Sequence, residues 1–311
     1  MINKNSKIFV AGHKGLVGSA IVRKLKQLNY KKIYTKTKKE LDLRNQKKVL
    51  DYLLKVKPDA VILAAAKVGG IEVNNKLRGE FIYDNLTIQN SVIHSSYLAN
   101  VKNLIFLGSS CIYPKHSKQP IKEKYLLSGS LEKTNEPYAI AKIAGISLCE
   151  SYNFQYKLNY KCLMPCNAYG INDNYDPESS HFFPALIKKV IDAIRYREEK
   201  IYIWGNGKPL RELIYSDDIA EACIFFLKKK TKETLINVGT GKDKTITEYA
   251  KIIMEHLGVD FKIIYKKDKP NGMMRKVLDV SLAHKYGWKY KTPLKKGLSV
   301  TINDYLKKNL I

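Results

Sequence analysis

Between Lys7 and Gly18 the chain leaves itself little choice of local structure. Lys7-Ile8-Phe9-Val10-Ala11 reads as a short buried strand, and Gly12-His13-Lys14-Gly15-Leu16-Val17-Gly18 comes directly after it with glycines three residues apart. Glycine lets a backbone turn sharply and approach a ligand closely. The apolar periodicity from residue 16 to about 28 predicts a helix, whose unpaired N–H groups and positive dipole end face the turn. A strand, a glycine turn and a helix at the start of a chain predict a parallel sheet with a pyrophosphate seat at its edge. The same glycines would also suit a merely structural turn.

The next 130 or so residues repeat the alternation of strand and helix. A second strand, 32–35, is succeeded by Lys36, Thr37, Lys38 and Lys39, with no acid until Glu40. Sites that hold a ribose 2′-OH place Asp or Glu there, about 20 residues beyond the glycines, so these cations favour a 2′-phosphate; solvated loop lysines are the plainer alternative. A helix over 45–56, a buried strand over 60–66, a small loop at Lys67-Val68-Gly69-Gly70, a long helix over 77–99, a strand at 104–107, a helix from Pro137 to about 156 and a strand at 160–164 complete the series. The fold class expected is α/β, a doubly wound parallel sheet (Rossmann), with ligands at the C-terminal strand ends. Beyond Pro165 the rhythm loosens: a polar loop at 172–180, a helix over 181–197, a turn at Trp204-Gly205-Asn206-Gly207, strands at 211–215 and 235–239, and Ser216-Asp217 as a helix cap. This predicts a dinucleotide-binding domain of 1–165 plus 213–240 and a smaller substrate domain of 166–212 plus 241–311.

Composition narrows the partners. A formal charge of +26 raises nucleic acid as a ligand, but the lysines are dispersed, and Lys228-Lys229-Lys230 and Lys266-Lys267 read as solvated helix ends and loops. No nucleic-acid partner is expected. The five cysteines, at 111, 149, 162, 166 and 223, have no C-x-x-C pair and an odd number, which argues against a disulfide framework; only Cys111 sits among polar neighbours. With neither a leader pattern nor an 18-residue apolar run, a soluble cytoplasmic protein with no membrane partner is expected.

The chemistry is expected on the helix that Pro137 opens. Tyr138 and Lys142 stand at i and i+4, so a phenol and an ammonium share a face. A nearby positive charge lowers a phenol's pKa from its reference of about 10, which would help it protonate an oxygen. Spacing alone is weak, since Tyr34/Lys38, Tyr196/Lys200 and Tyr265/Lys269 share it. Tyr138 is singled out by the strand before it, which ends in Gly108-Ser109-Ser110-Cys111.

Taken together, the glycine triplet, Ala64-Ala65-Ala66-Lys67-Val68-Gly69-Gly70-Ile71, Gly108-Ser109-Ser110-Cys111-Ile112-Tyr113-Pro114, Asn135-Glu136-Pro137-Tyr138-Ala139-Ile140-Ala141-Lys142, Asn237-Val238-Gly239-Thr240-Gly241 and Arg275-Lys276-Val277-Leu278-Asp279 resemble the extended short-chain dehydrogenases/reductases from about residue 7 to the last helix. The resemblance implies NADP(H) as cofactor and a GDP-sugar as small-molecule substrate, with 3,5-epimerisation of GDP-4-keto-6-deoxy-D-mannose followed by reduction at C4. It makes Tyr138 the proton donor to that oxygen, Lys142 its partner and a cofactor ligand, Ser109 a second donor, and Cys111 with His181 the acid/base pair for epimerisation. Cofactor contacts are implied at Gly12, His13, Lys14, Gly15, Leu16, Val17, Gly18, Lys38, Asp42, Leu43, Leu107, Gly108, Pro165, Asn167 and His181, with Lys14 and Lys38 reading the 2′-phosphate where Arg is common. Lys189, again Lys for Arg, Trp204, Arg211 and Asp279 match substrate positions; Cys166 replaces the usual Thr. A homodimer through 77–99 and 137–157 is implied, and no metal. Another extended nucleotide-sugar epimerase or reductase would keep Tyr138 and Lys142 without needing the Cys111/His181 pair.

Overall fold

Strand β1 (Lys7–Ala11) has four consecutive buried residues, as an interior strand covered on both faces requires. The computed structural model describes residues 2–268 and 272–309. From β1 the chain runs through α1 (Leu16–Gln27) to β2 (Lys32–Tyr34), then through α2 (Gln46–Val56) to β3 (Ala60–Leu63). Two helices, α3 (Ile71–Lys76) and α4 (Arg78–Leu98), precede β4 (Asn103–Leu107), and α5 (Glu136–Tyr156) precedes β5 (Asn159–Pro165). Next come β6 (Asn167–Tyr169), α6 (Phe182–Arg195), β7 (Lys200–Trp204), β8 (Leu210–Tyr215), α7 (Ser216–Lys228) and β9 (Leu235–Val238). The chain ends with β10 (Asp243–Thr245), α8 (Ile246–Leu257), β11 (Lys262–Lys266), β12 (Arg275–Lys276), α9 (Ser281–Lys285) and α10 (Leu294–Asn309).

Six strands form the main sheet in the order β2-β1-β3-β4-β5-β9, every pair parallel. Helices α1 and α7 pack together, and α2, α4 and α5 form the other layer. The expected doubly wound α/β fold is therefore present. The chain leaves β1 toward one edge and returns on its other side, so the crevice lies between the C-terminal ends of β1 and β3, where such sheets bind ligands. A second core gathers Phe183, Ile187 and Val190 of α6, Ile201 and Ile203 of β7, Ala250 and Ile253 of α8 and Leu298 of α10. Around it lie a sheet ordered β10-β8-β12, with β6 also paired to β8, and the two-stranded sheet β7-β11.

Three expectations need correction. Strand β3 stops at Leu63 although the apolar run continues to Ala66, because the next residues turn against the glycine loop: the Ala64 N–H still bonds Ala11 O at 3.0 Å, and Gly12 lies on Ala65. Ser216 is not a cap. Strand β8 passes straight into α7 with Tyr215 at the N-cap position, and the buried Ser216 hydroxyl has no hydrogen-bond partner. The first-turn acids are used instead, Asp217 on Arg23 at 2.7 Å and Asp218 on the Lys291 and Thr292 N–H groups. Lys266 lies on a strand, opposite Trp204 in register, rather than in a loop. Among the described residues no helix is long and apolar enough to cross a membrane.

Candidate active site

The glycine turn is shaped for close approach. Gly12 adopts φ +90°, where a side chain would be strained, and its Cβ would lie 2.6 Å from Ala65 N; a Cβ on Gly18 would lie 2.0 Å from Gly12 O. Helix α1 starts from Gly15 with no side-chain cap and no acid in its first turn. Its N-terminal amides therefore suit an anion, and the cradle fits a dinucleotide's pyrophosphate. His13, Leu16 and Val17 are half-buried around the turn, and Lys14 is exposed.

At the end of β2, Lys38 is exposed. Glu40 folds back on its own turn, accepting from Thr37 N and Oγ1 at 2.8 Å each, and these bonds with that from Lys36 hold its carboxyl at about 2. Asp42 is bound by Arg44 at 2.7 Å, which chiefly keeps its carboxyl at about 2. Arg44 also reaches Asp84 at 3.2 Å, and Asp84 lies 3.6 Å from Lys67, so an ion chain joins this loop to the one after β3. Leu43 packs on the core.

The chemical residues converge at the end of β4. Leu107 and Gly108 close that strand region, and Ser109 caps the single 3₁₀ turn of Ser110–Ile112, its Oγ accepting from Cys111 N at 3.4 Å. Helix α5 approaches β4 closely at Gly145, where a Cβ would come within 2.6 Å of the Phe106 ring. That approach carries Lys142 inward, only 3% exposed, so that its Nζ donates to Leu107 O at 2.9 Å and lies 5.7 Å from the Tyr138 ring centroid. Tyr34 and Lys38, like Tyr196 and Lys200, do not share a helix, and Lys269 lies outside the described residues.

Burial reverses the expected electrostatics. It pushes the Tyr138 phenol up rather than down, with Cys111 adding to the effect, and it lowers Lys142 to about 8. Desolvation penalises phenolate and ammonium alike and dominates both shifts. Burial likewise raises the Cys111 thiol, against Lys276, the Ser109 hydrogen bond and Lys142, so the cations expected near it are present but do not prevail. His181 holds the N-cap position of α6, and desolvation of its ring and then Lys276 lower its pKa. At rest Cys111 is thus a thiol and His181 a neutral imidazole. Cys111 is not alone in having a polar neighbour: the buried Cys166 thiol contacts Glu212, and burial with that carboxyl raises it well above the usual range.

Glu212 is fully buried, its oxygens accepting from Thr240 N at 2.6 Å, Gly241 N at 2.7 Å and Leu278 N at 2.7 Å. Burial nevertheless pushes its carboxyl up to about 7. Next to it, Asn167 Nδ2 donates to Glu212 O at 2.8 Å, just beyond Pro165 at the end of β5. Arg211 donates to Leu210 O at 2.9 Å and is lowered to about 10 by burial. Lys189 donates to Tyr202 O at 2.9 Å and stands 5.6 Å from the Trp204 ring centroid, giving a cation–aromatic wall. Asp279 accepts from Ser281 N at 2.9 Å and faces Lys122 at 3.9 Å.

Residues 8–239 match the family model described as the NAD dependent epimerase/dehydratase family. The chain belongs to this family. Among its relatives, GDP-L-fucose synthase 1 of Arabidopsis thaliana is 49% identical over 307 residues, 99% of this chain and 95% of that one. GDP-L-fucose synthase of Escherichia coli (strain K12) is 45% identical over 309 residues, 96% of each chain. A solved GDP-L-fucose synthetase from Naegleria fowleri, bound to NADP, superposes with a TM-score of 0.90 at 26% identity, covering 99% of this chain and 96% of that one. Within this epimerase/dehydratase chain, sequence reasoning gave no role to Arg44, Glu212 or Lys276. Glu212 carried a signal, an acid directly before the apolar Leu213-Ile214-Tyr215; Lys276 stood only within the Arg275–Asp279 stretch used for the resemblance.

Proposed function

We propose that this protein is an NADPH-dependent GDP-L-fucose synthase, which epimerises GDP-4-keto-6-deoxy-D-mannose at C3 and C5 and reduces it at C4. One observation carries the reading: Cys111, two residues after Ser109, bears electrostatically on both Tyr138 and Lys142, so a thiol stands beside the phenol and ammonium of a reductase set, and with His181 it would supply an acid/base set. A plain reductase needs the first set alone. The near full-length relatives named GDP-L-fucose synthase support the same substrate.

The C3 and C5 protons of a 4-keto sugar are both α to one ketone, so a single acid/base pair can act on each once the oxygen is stabilised. Ser109 and Tyr138 donate to that oxygen; burial keeps the Tyr138 proton in place until it is needed. His181, neutral at rest, can take a proton, while Cys111 holds one to give and becomes a base on losing it. A reduced nicotinamide would supply the hydride for C4. The residues that would hold that cofactor are the glycine turn, Lys14, Lys38 and Lys142; Lys189, Trp204 and Arg211 would hold the sugar's nucleotide. We assign 1–165 plus 213–240 to the cofactor and 166–212 plus 241–311 to the substrate, although Leu278, Val280, Ala283 and Trp288 pack in the first core and Leu213 and Tyr215 in the second. A homodimer through α4 and α5 is supported by their shared cluster of Tyr97, Tyr152 and Tyr156, with Phe154 81% exposed beside it.

The test is incubation with GDP-4-keto-6-deoxy-D-mannose and NADPH in D₂O, and then product NMR. Deuterium at C3 and C5 with stoichiometric NADPH oxidation is expected, and Cys111→Ser should lose the deuterium. Reduction without exchange at either carbon would overturn the epimerase half.

A further inference from the structure

The small loop after β3, residues 64–70, begins against the first core and ends on the chain entering α6. Two asparagines hold it, and they hold different halves. Asn85 of α4, 2% exposed, clasps the first half: its Oδ1 accepts from Lys67 N at 3.0 Å, and its Nδ2 donates to Lys67 O at 3.0 Å and to Phe81 O at 2.7 Å. That half lies against the glycine turn, where Gly12 meets Ala65. Asn74 of α3, 6% exposed, holds the second half, its Nδ2 donating to Gly69 O at 2.6 Å and to Gly70 O at 3.0 Å. Its Oδ1 is buried with no hydrogen-bond partner among the described residues, a penalty that the two donations must offset. The fold therefore keeps this amide for its donor end.

Beyond the Asn74 clasp the loop meets the turn that leads into α6. Gly70 N donates to Ser179 O at 2.9 Å, and the approach is so close that a Cβ on Gly70 would lie 2.7 Å from Ser180 O. With φ −64° and ψ 179° the Gly70 backbone is open to any residue, so glycine is required here for space alone. The turn is tied to itself: Asp176 Oδ1 accepts from Ser179 N and Ser179 Oγ at 2.9 Å each, and Ser180 N donates to Asp176 O at 2.9 Å. His181 comes next, its carbonyl accepting from Ala185 N at 3.1 Å as α6 begins. We propose that Asn74 is a positioning residue for His181: by pinning the Gly69 and Gly70 carbonyls it fixes the amide that holds the Ser179–Ser180 turn, and so sets the N-cap from which the imidazole projects. Asn85 has no such reach, since its bonds to the loop end at Lys67. The catalytic consequence rests on the epimerase reading above; the placement of the first turn of α6 does not.

Hydrogen–deuterium exchange of the full-length protein, read by mass spectrometry on peptides covering 67–76 and 179–187, compares the parent with Asn74→Asp and Gly70→Ala. The first variant keeps the side chain's size and turns both donors into acceptors facing carbonyls; the second keeps Asn74 and sets a methyl against Ser180 O. In each, the 179–187 peptide should exchange roughly tenfold faster while peptides of the main sheet keep the parent rate. If Asn74 served its own loop alone, only 67–76 would change. Deuterium uptake at C3 and C5 of GDP-4-keto-6-deoxy-D-mannose, in D₂O without NADPH and at saturating substrate, should fall roughly tenfold to a hundredfold. The Kd for NADPH should stay at the parent value, because Asn85 still holds the half of the loop beside the glycine turn. A parent rate for the 179–187 peptide in both variants, or NADPH affinity lost in step with the uptake, would overturn the proposal. No uptake at C3 and C5 by the parent would instead sink the epimerase reading, and the peptide exchange would still decide what Asn74 holds.

Discussion

Two sets of cations border the crevice, and they differ in what surrounds them. Lys14 and Lys38 stand in solvent beside the glycine turn and the end of β2. Lys142, Arg211 and Lys276 are withdrawn from it, and burial has pulled the pKa of each below the ordinary value. An exposed ammonium attracts a phosphate through water and salt, so its contribution is modest and screened. A withdrawn one acts across a medium of low dielectric, where a single charge shifts its neighbours' protons. The outer set is suited to choosing a cofactor, whereas within the inner set Lys142 bears on the proton chemistry beside Tyr138 and Arg211 on the substrate.

The hardest way to break that division is at Tyr138. Tyr138→Phe deletes one hydroxyl beside Lys142 and spares the packing, and general acid catalysis is typically worth about 10²–10⁴-fold, so NADPH oxidation should fall by that order. Turnover at the parent rate would remove the inner set's main task. For the outer set, Lys38→Asp places a carboxylate where a 2′-phosphate is expected; kcat/KM for NADPH should drop on the order of tenfold to a hundredfold while NADH is nearly unaffected. Added salt should mimic the substitution, and equal kcat/KM for both cofactors in the parent would return Lys38 to the plain surface.

Acidity offers a finer contrast. With its pKa lowered to about 8, Lys142 loses its charge as pH rises through 8, earlier than an ordinary lysine. If the ammonium is required, kcat should decline above pH 8 by roughly tenfold per unit, and Lys142→Arg should push that limb out of range. A limb that stays near pH 8 in the Arg variant belongs to another group. The smallest effect concerns stability. Glu212, pushed up to about 7, keeps in the folded protein a proton that the unfolded chain releases near the ordinary carboxyl value of 4.5. Its contribution is therefore whole below the unfolded pKa and lost as pH rises through about 7. Denaturant unfolding should show parent stability declining between pH 5 and 8, and Glu212→Gln should flatten that slope while costing about 1–3 kcal/mol at low pH, where an amide N–H meets Leu278 N–H.

Local order explains what could be read beforehand. The strand, glycine turn and helix at residues 7–27 are contiguous, as are Pro137 and the helix it opens, so pattern and punctuation sufficed for the sheet, the cradle and the Tyr138/Lys142 pair. Tyr138 and Lys142 do share a helix, as expected, whereas Tyr34/Lys38 and Tyr196/Lys200 straddle loops. The direction of the Tyr138 shift was misread because burial is a property of three dimensions: sequence spacing put a cation nearby but could not weigh it against desolvation. Lys276 eluded the reading for a related reason, since nothing before the pairing of β12 with β8 links it to Arg211 or to Cys111.

The Glu212 joint also bears on how the protein comes off the ribosome. All six strands of the main sheet have been synthesised once Val238 emerges, so that sheet can form on the nascent chain. The acceptor oxygens of Glu212, however, are shared among Thr240, Gly241 and the much later Leu278. Until that last amide arrives, a buried carboxyl group on β8 is short of a donor. A chain that stalls before Leu278 thus has all six main-sheet strands but lacks both that donor and α9, which packs on β9.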